Sequence, residues 1–263
     1  MSALNLSADS IKSLLKSQAE VMLFESLDST NITAKEQAIS GKAKEGDLVI
    51  ALSQKGGKGR MGRSFYSPKG CGVYFSIVLK PNLPPEDIFL ITPVAAVAVA
   101  TAIEKIAGKS PKIKWVNDIF LNGKKVCGIL SEAAFTAGGE SLYVILGVGI
   151  NLVSPKGGYP KDIKNIAGSI FEGEEVFDAN CLVADIINNF FDCYKDLNNK
   201  DLPIEYRKRM MLIGDNINYT VNATRKTGKV VGLDERFRII VESDAGEREA
   251  LQSGEVTIGS GNI

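Results

Sequence analysis

Histidine does not occur anywhere in the 263 residues. That excludes every histidine-dependent triad, every histidine general base and every histidine metal site. Cysteine is sparse. Cys71, Cys127, Cys181 and Cys193 show no C-x-x-C spacing. The first ten residues carry no signal-peptide pattern, so reduced thiols in a cytoplasmic protein are expected rather than disulfides. Net charge is absent as well: 31 Lys and Arg balance 31 Asp and Glu, and no global polyanion partner is implied. What remains is ordinary, with 44% hydrophobic and 24% charged residues. That composition argues against wholesale disorder and allows one large domain with a small second one.

One local absence is informative. No carboxylate lies between Asp47 and Glu86, and within that stretch Gln54 to Lys69 packs Gly56, Gly57, Gly59 and Gly62 among Lys55, Lys58, Arg60 and Arg63. Glycines allow close backbone approach and positive φ. Successive backbone N–H groups form anion-binding concavities, and guanidinium forks add bidentate contacts to phosphate or carboxylate. The apolar runs Leu48 to Ser53 and Val73 to Leu79 read as flanking strands, so the stretch reads as a phosphate-handling loop between two strands. A solvated mobile loop or a nucleic-acid patch has the same composition. Two familiar motifs are excluded. There is no Walker A sequence, and Gly57-x-Gly59-x-x-Gly62 leads into a strand rather than a helix, unlike a dinucleotide fingerprint.

The rest of the chain alternates helix and strand signals. Ser7 caps a short helix running to Lys16, Val21 to Leu27 is extended, and Ser29 or Thr30 starts a helix over 31–40. Phe89 to Ala107 is the most apolar stretch. Its Ala content, Thr92, Pro93, Thr101 and the Glu104-Lys105 pair favour a helix buried on a sheet over a membrane span. A start near Asp87 predicts a kink at Pro93. Lys112 to Trp115 and Ile119 to Leu121 look extended, and Asn122-Gly123 is a hairpin signal. Val126 to Ala134 and Leu142 to Ile150 read as strands paired around Ala137-Gly138-Gly139. Ser154 to Asn165 reads as a loop. Leu182, Val183, Ile186, Ile187, Phe190, Phe191 and Tyr194 recur at helical spacing. From about Ile213 short strands separated by glycines and charged turns predict a small β-barrel or sandwich.

Four ordered motifs carry a family resemblance. Asp28-Ser29-Thr30-Asn31, then Gln54 with Gly57-Lys58-Gly59-Arg60-Met61-Gly62-Arg63, then Lys114-Trp115-Val116-Asn117-Asp118 with Lys125-Val126-Cys127-Gly128-Ile129-Leu130, then Gly147-Val148-Gly149-Ile150-Asn151 resemble the D-S-T-N, Q-x-x-G-R-G-R-x-G-R-x-W, K-W-P-N-D with K-x-x-G-I-L, and G-x-G-I-N stretches of biotin protein ligases. The resemblance implies an α+β fold: a mixed β-sheet flanked by helices, as in class II synthetase-like biotin/lipoate ligase domains, over residues 1–210, with an SH3-like β-barrel over 211–263. It implies ATP-dependent formation of biotinyl-5′-AMP and pyrophosphate, then transfer of biotin to a lysine of a biotin carboxyl carrier domain, with ATP, Mg²⁺ and biotin as the small molecules.

Carried over residue by residue, the resemblance assigns Ser29, Thr30 and Gln54 to the ureido head of biotin, with Asn31 among the biotin-binding residues. Gly57 and Lys58 go to its tail and carboxylate, Lys125 to that carboxylate or the adenylate phosphate, and Gly128 and Gly147 to close backbone approach of the bound biotin. Arg60, Arg63, Phe65, Asn117 and Asn151 go to ATP and the adenylate, with Arg60, Arg63 and Lys125 as catalytic cations and Asp118 for Mg²⁺. Each also has a plainer reading, as a cap, a turn side chain or a solvated charge. Three departures stand out. Lys58 replaces an arginine fork by a point charge, Phe65 replaces a tryptophan and loses an N–H donor, and Val116 replaces a proline. A lipoate-type acyl-adenylate ligase, a nucleic-acid-binding regulator and a β-domain interaction protein are the competing readings. About twenty residues precede the Val21 strand, too few for a helix-turn-helix domain, so no specific DNA binding and no membrane attachment are expected. A homodimer stays compatible with the sequence.

Overall fold

The structure, a computed structural model, describes every residue except 1–3, 136–141, 174, 222–223, 253–255 and 259–263. The turn expected at Ala137-Gly138-Gly139 lies outside the described residues.

Seven strands form the main sheet: β1 (Val21–Phe24), β2 (Leu48–Ala51), β3 (Gly72–Leu79), β4 (Lys112–Lys114), β5 (Asp118–Leu121), β6 (Lys124–Phe135) and β7 (Leu142–Asn151). Their order is β1-β2-β3-β7-β6-β5-β4. Only β1 and β2 run parallel, and every other neighbour is antiparallel. The β5–β6 hairpin closes on Asn122 and Gly123 with φ of 49° and 73°, both positive as a type I′ turn requires.

Alternation along the strands separates two faces. Val73, Phe75, Ile77, Ile129, Leu146, Val148 and Ile150 point to one face and join a large apolar cluster. α3 (Ile91–Ala107) and α4 (Ala179–Tyr194) cover that side and pack on each other, with α1 (Ala8–Leu14) against α4. Val49, Val78, Ala134 and Ile145 point to the other face, where Ala34 and Ala38 of α2 (Thr30–Ile39) meet them in a small cluster.

Pro93 kinks nothing. A 3₁₀ turn over Pro85–Leu90 precedes α3, which leaves Pro93 as its third residue. A first-turn N–H has no intrahelical acceptor in any case. The whole segment Pro85–Ala107 is long and apolar enough to cross a membrane, yet two thirds of its apolar window is buried within the fold. One helix escaped the sequence reading. α5 (Asp201–Arg209) is mostly polar and buries only Leu202, Pro203 and Tyr206. Arg209 fixes it through Glu104 of α3 at 2.7 Å and its own Glu205 at 2.8 Å.

A second sheet of five antiparallel strands follows: β8 (Asn216–Val221), β9 (Thr224–Leu233), β10 (Ile239–Glu242), β11 (Arg248–Leu251) and β12 (Val256–Ile258), in the order β11-β10-β9-β8-β12. It fits an SH3-like domain. It does not stand apart, because Ile217, Val230, Phe237 and Ile239 belong to the same apolar cluster as the main sheet. At the β9–β10 turn, Phe237 stacks edge-on to Tyr206, 5.5 Å between ring centres. Its carbonyl accepts the buried Trp115 indole N–H over 2.9 Å.

Candidate active site

The α2 face of the sheet has a trough at its centre. Register places Tyr74, Gly149, Gly128, Asp118 and Lys114 in one cross-strand row and Ser76, Gly147 and Leu130 in the next. Gly128, Gly147 and Gly149 carry no side chain where their neighbours bury one, so the backbone is bare in the middle of the sheet. Two elements reach into that space. A Cβ on Gly147 would lie 2.2 Å from Asn31 Oδ1, and one on Gly149 would lie 2.6 Å from the Phe65 ring. The N-terminus of α2 thus overlies one end of the trough and the β2–β3 connection overlies the other.

That connection is the glycine-rich cationic stretch. It folds as a narrow hairpin: Gly59 N–H donates to Arg63 O over 2.7 Å, Phe65 N–H to Gly57 O over 2.8 Å, and Lys58 bridges Ser64. Met61 at its tip has φ 55° and is exposed. Gly57 is needed for close approach, since its Cβ would fall 2.5 Å from Phe65 O.

A hydrogen-bond network lines the α2 end. Thr30 N–H donates to Gln54 Oε1 over 2.8 Å, and Gln54 Nε2 donates to Ser67 Oγ over 3.0 Å. Ser76 Oγ lies 2.8 Å from Thr30 Oγ1 and 2.6 Å from Asn31 Oδ1, while Asn31 Nδ2 donates to Glu132 Oε2 over 2.7 Å. Capping is therefore not what the two hydroxyls of α2 do. Ser29 stands at the cap position without a side-chain cap bond, and the Thr30 hydroxyl lies 3.2 Å from Gln54 Oε1 as its donor.

Cations gather at the other end. Lys125 Nζ meets Asp118 Oδ1 at 2.7 Å and lies 6.0 Å from the Phe65 ring centre. Spacing alone would put Lys125 and Gly128 on opposite faces of a regular strand. The β5–β6 register shifts between Ile119 and Phe120, so Val126 and Cys127 both turn into the apolar cluster and Lys125 returns to the trough face. Re-aiming a side chain is a common use of a bulge near a site. Arg60 Nη1 donates to Asn117 Oδ1 over 3.1 Å, and Asn117 Nδ2 donates to Ile129 O over 2.9 Å. Burial holds the Lys114 ammonium below the usual lysine range; neighbouring Asp118 opposes this, and Lys125 and Arg63 add to it.

Of the expected site residues, Ser29, Thr30, Asn31, Gln54, Lys58, Arg60, Phe65, Asn117, Lys125, Gly128 and Gly147 line one cavity, joined by Gly59, Ile129, Leu130, Val148 and Gly149. Its free volume is about 50 Å³, against roughly 300–1,000 Å³ for a small-molecule site. The Phe65 ring takes up part of the space above Gly128 and Gly149. Gly57, Arg63, Asp118 and Asn151 lie outside the lining. Asn151 Nδ2 is engaged with Gly168 O over 3.0 Å, on the segment that also hydrogen-bonds Lys125 through both its N–H and C=O. Ser76, Glu132 and Gly149 were not expected. The signals were a lone serine in the apolar run VYFSIVL, a lone acid in the β6 run and the second glycine of Gly147-Val148-Gly149.

For a metal, the donors are few. Among the described residues no group of three or more acidic or cysteine side chains could hold an ion. Asp118 Oδ1, buried and in ion-pair reach of Lys125, accepts no aligned hydrogen bond, which leaves it a lone pair for a cation delivered by a ligand. The arrangement as a whole offers neutral donors and acceptors at one end, cations at the other and a bare backbone floor between. That suits an elongated molecule with a polar head and an anionic tail.

Known proteins are similar to this chain. The model of the biotin/lipoate A/B protein ligase family matches residues 23–151. The bifunctional ligase/repressor BirA of Bacillus subtilis is 34% identical over 238 residues, which span 89% of this chain and 72% of that one. The biotin–[acetyl-CoA-carboxylase] ligase of Paracoccus denitrificans is 29% identical over 244 residues, 88% of this chain and 98% of that one. Among solved structures, the biotin protein ligase of Aquifex aeolicus in complex with biotin and ATP superposes with a TM-score of 0.78 at 26% identity, covering 90% of this chain and 97% of that one.

Proposed function

The chain belongs to the biotin protein ligase family and is a ligase, and we propose that it couples biotin to ATP as biotinyl-5′-AMP and then passes biotin to one lysine of a biotin carboxyl carrier domain in the cytoplasm. The observation that carries this reading is that the polar pocket of Ser29, Thr30, Asn31 and Gln54 opens into the same cavity as Lys58, Arg60 and Lys125. A ureido ring needs the first set, and a carboxylate meeting a triphosphate needs the second.

In the first step the biotin carboxylate attacks the α-phosphorus of ATP. An oxygen–phosphorus bond forms to give the mixed anhydride, and pyrophosphate leaves. Two anions must approach, so cations that offset their repulsion lower the barrier. Removing one such preorganised contact costs roughly 10²–10³ in rate. Lys58 and Lys125 hold the carboxylate, Arg60 and Arg63 face the phosphates, and the three glycines let the chain lie on the sheet. Asn151 exchanges its bond to Gly168 for the adenine, beside Phe65 and Asn117. Asp118 is the carboxylate that would hold a Mg²⁺ brought by ATP, and that ion would supply further neutralisation of the phosphate charge. In the second step the neutral carrier amine attacks the acyl carbon, the bond from that carbon to the phosphate oxygen breaks, AMP leaves with that oxygen, and the nitrogen releases one proton to water as the amide forms. Neither step needs a protein nucleophile, so positioning and charge carry the acceleration and the missing histidine is no obstacle. We keep residues 1–210 as the catalytic unit and 211–263 as the accessory one.

The test is transfer of labelled biotin to a purified carrier domain, with biotin-dependent pyrophosphate release measured in parallel. Label on the carrier lysine, dependent on ATP, is the expected result. Biotin-independent ATP hydrolysis, or no release at all, would overturn the reading.

A further inference from the structure

Glu132 lies on the trough face of β6, two residues beyond Leu130 and opposite Ile145, outside the lining of the cavity. Its Oε2 accepts the Asn31 amide over 2.7 Å. A carboxylate only accepts, so it dictates which end of the Asn31 amide faces it. The nitrogen turns to Glu132, and the oxygen turns to Ser76 and the floor at Gly147.

That choice propagates. The Ser76 hydroxyl has one proton for two neighbours, Asn31 Oδ1 at 2.6 Å and Thr30 Oγ1 at 2.8 Å. Asn31 Oδ1 cannot donate in return, so the proton settles on the shorter contact. The Thr30 hydroxyl then turns its own proton within the network, towards Ser76 or towards Gln54 Oε1 at 3.2 Å, and offers the cavity a lone pair. With the Asn31 amide reversed, its nitrogen would donate to Ser76, Ser76 would donate to Thr30 and take one of that hydroxyl's two lone pairs, and the floor at Gly147 would face a donor in place of the Asn31 oxygen. We propose that Glu132 is a positioning residue that fixes the donor–acceptor polarity of the head-group pocket through Asn31, Ser76 and Thr30, so that the pocket accepts from the N–H of a cyclic urea. The proposal rests on the biotin reading above and names what selects the ureido ring.

The test is biotin-dependent ATP–pyrophosphate exchange by the full chain. Glu132→Ala is expected to raise the KM for biotin roughly ten- to a hundredfold, the scale of a lost charge-assisted hydrogen bond, with kcat and the KM for ATP within about twofold of wild type. Glu132→Gln keeps an acceptor oxygen for Asn31 and stays near wild type. A ligand-induced rise in Tm reports the same loss without turnover: biotin should stabilise Glu132→Ala less than wild type or Glu132→Gln. If Glu132→Ala does not fold, Asn31→Asp carries the test. It faces one carboxylate with another and should raise the biotin KM, and adding Glu132→Gln should lower it again by restoring a donor. An unchanged biotin KM in Glu132→Ala, an equal rise in both KM values, or Glu132→Gln as impaired as Glu132→Ala would overturn the proposal. No exchange by the wild-type chain would instead overturn the biotin reading.

Discussion

On the α3 face of the main sheet, β3, β6 and β7 present Val73, Phe75, Ile77, Ile129, Leu146 and Val148. On the α2 face the same three strands present Tyr74, Ser76, Gly128, Gly147 and Gly149. The strands, their hydrogen bonds and their registers are shared, and only the side chains differ. Where every second residue is large and apolar, helices close down and the sheet becomes core. Where the residues between them are glycine and serine, the α2 N-terminus and the Phe65 ring reach over bare backbone and a small cavity remains between them. A packed interior is close to crystal density, so a deliberate absence of side chains is the means of keeping space open at the centre of a sheet.

Filling the trough should break this contrast most severely. Gly149→Val places atoms where the Phe65 ring now lies. Biotin-dependent pyrophosphate release is expected to become undetectable while the far-ultraviolet circular dichroism stays native. Normal release by this variant would show that the trough is not where substrate lies. Removing charge from the same face comes next. Lys125→Ala should cut adenylation by roughly 10²–10³ in a protein that still unfolds cooperatively, because the lysine is partly exposed. A variant with wild-type exchange kinetics would remove Lys125 from the reaction.

Arg60 separates holding the intermediate from making it. Arg60→Gly removes the guanidinium and loosens the hairpin, while Lys58, Arg63 and Lys125 remain. A lost charge-assisted contact of roughly 1.5–3 kcal/mol shortens the residence of biotinyl-5′-AMP by about one to two decades. The variant should therefore still consume ATP with biotin but label bystander lysines. Incubation with an unrelated lysine-rich protein and a blot for biotin checks this; a bystander labelled no more than by wild type, with pyrophosphate release continuing, would count against it.

The opposite face should respond in stability and not in chemistry. Leu146→Ala opens a cavity beneath α3 and is expected to cost roughly 2–5 kcal/mol in denaturant melts, with turnover per folded molecule unchanged. A selective loss of turnover would mean that the two faces are not separable. The smallest effect belongs to Lys114. Burial lowers its pKa in the folded state, so the unfolded chain binds more protons between that lowered value and the ordinary lysine range, and stability should rise with pH across this window. Lys114→Met should flatten the rise; parallel curves for the two proteins would show that Lys114 is not its source.

Some of this was legible in the sequence because it is local. The Asn122-Gly123 turn needs two positive φ values that these residues tolerate. The α4 stripe is set by helical period, and the cationic hairpin is announced by its glycines and by the absence of acids around it. The identity of the pocket residues was legible through four ordered motifs. α5 was not, because its nine residues bury one narrow strip and depend on Arg209 reaching Glu104, 105 positions away. The place of Pro93 was misjudged because the preceding turn is 3₁₀ and belongs to no periodic pattern.

By itself the sequence determined the strand and helix alphabet, the cationic hairpin and the residue types that can meet a ureido ring and a phosphate. Tertiary structure alone decided that Gly128 and Gly149 pair across β6 and β7 with Gly147 in the adjoining row, that a bulge turns Lys125 to their side, and that Glu132 reaches Asn31. The reason is physical. Composition and period act over a few residues, whereas register and bulges are set by how two sheet faces and their covering helices pack, and a shift of one residue reverses which face a side chain meets.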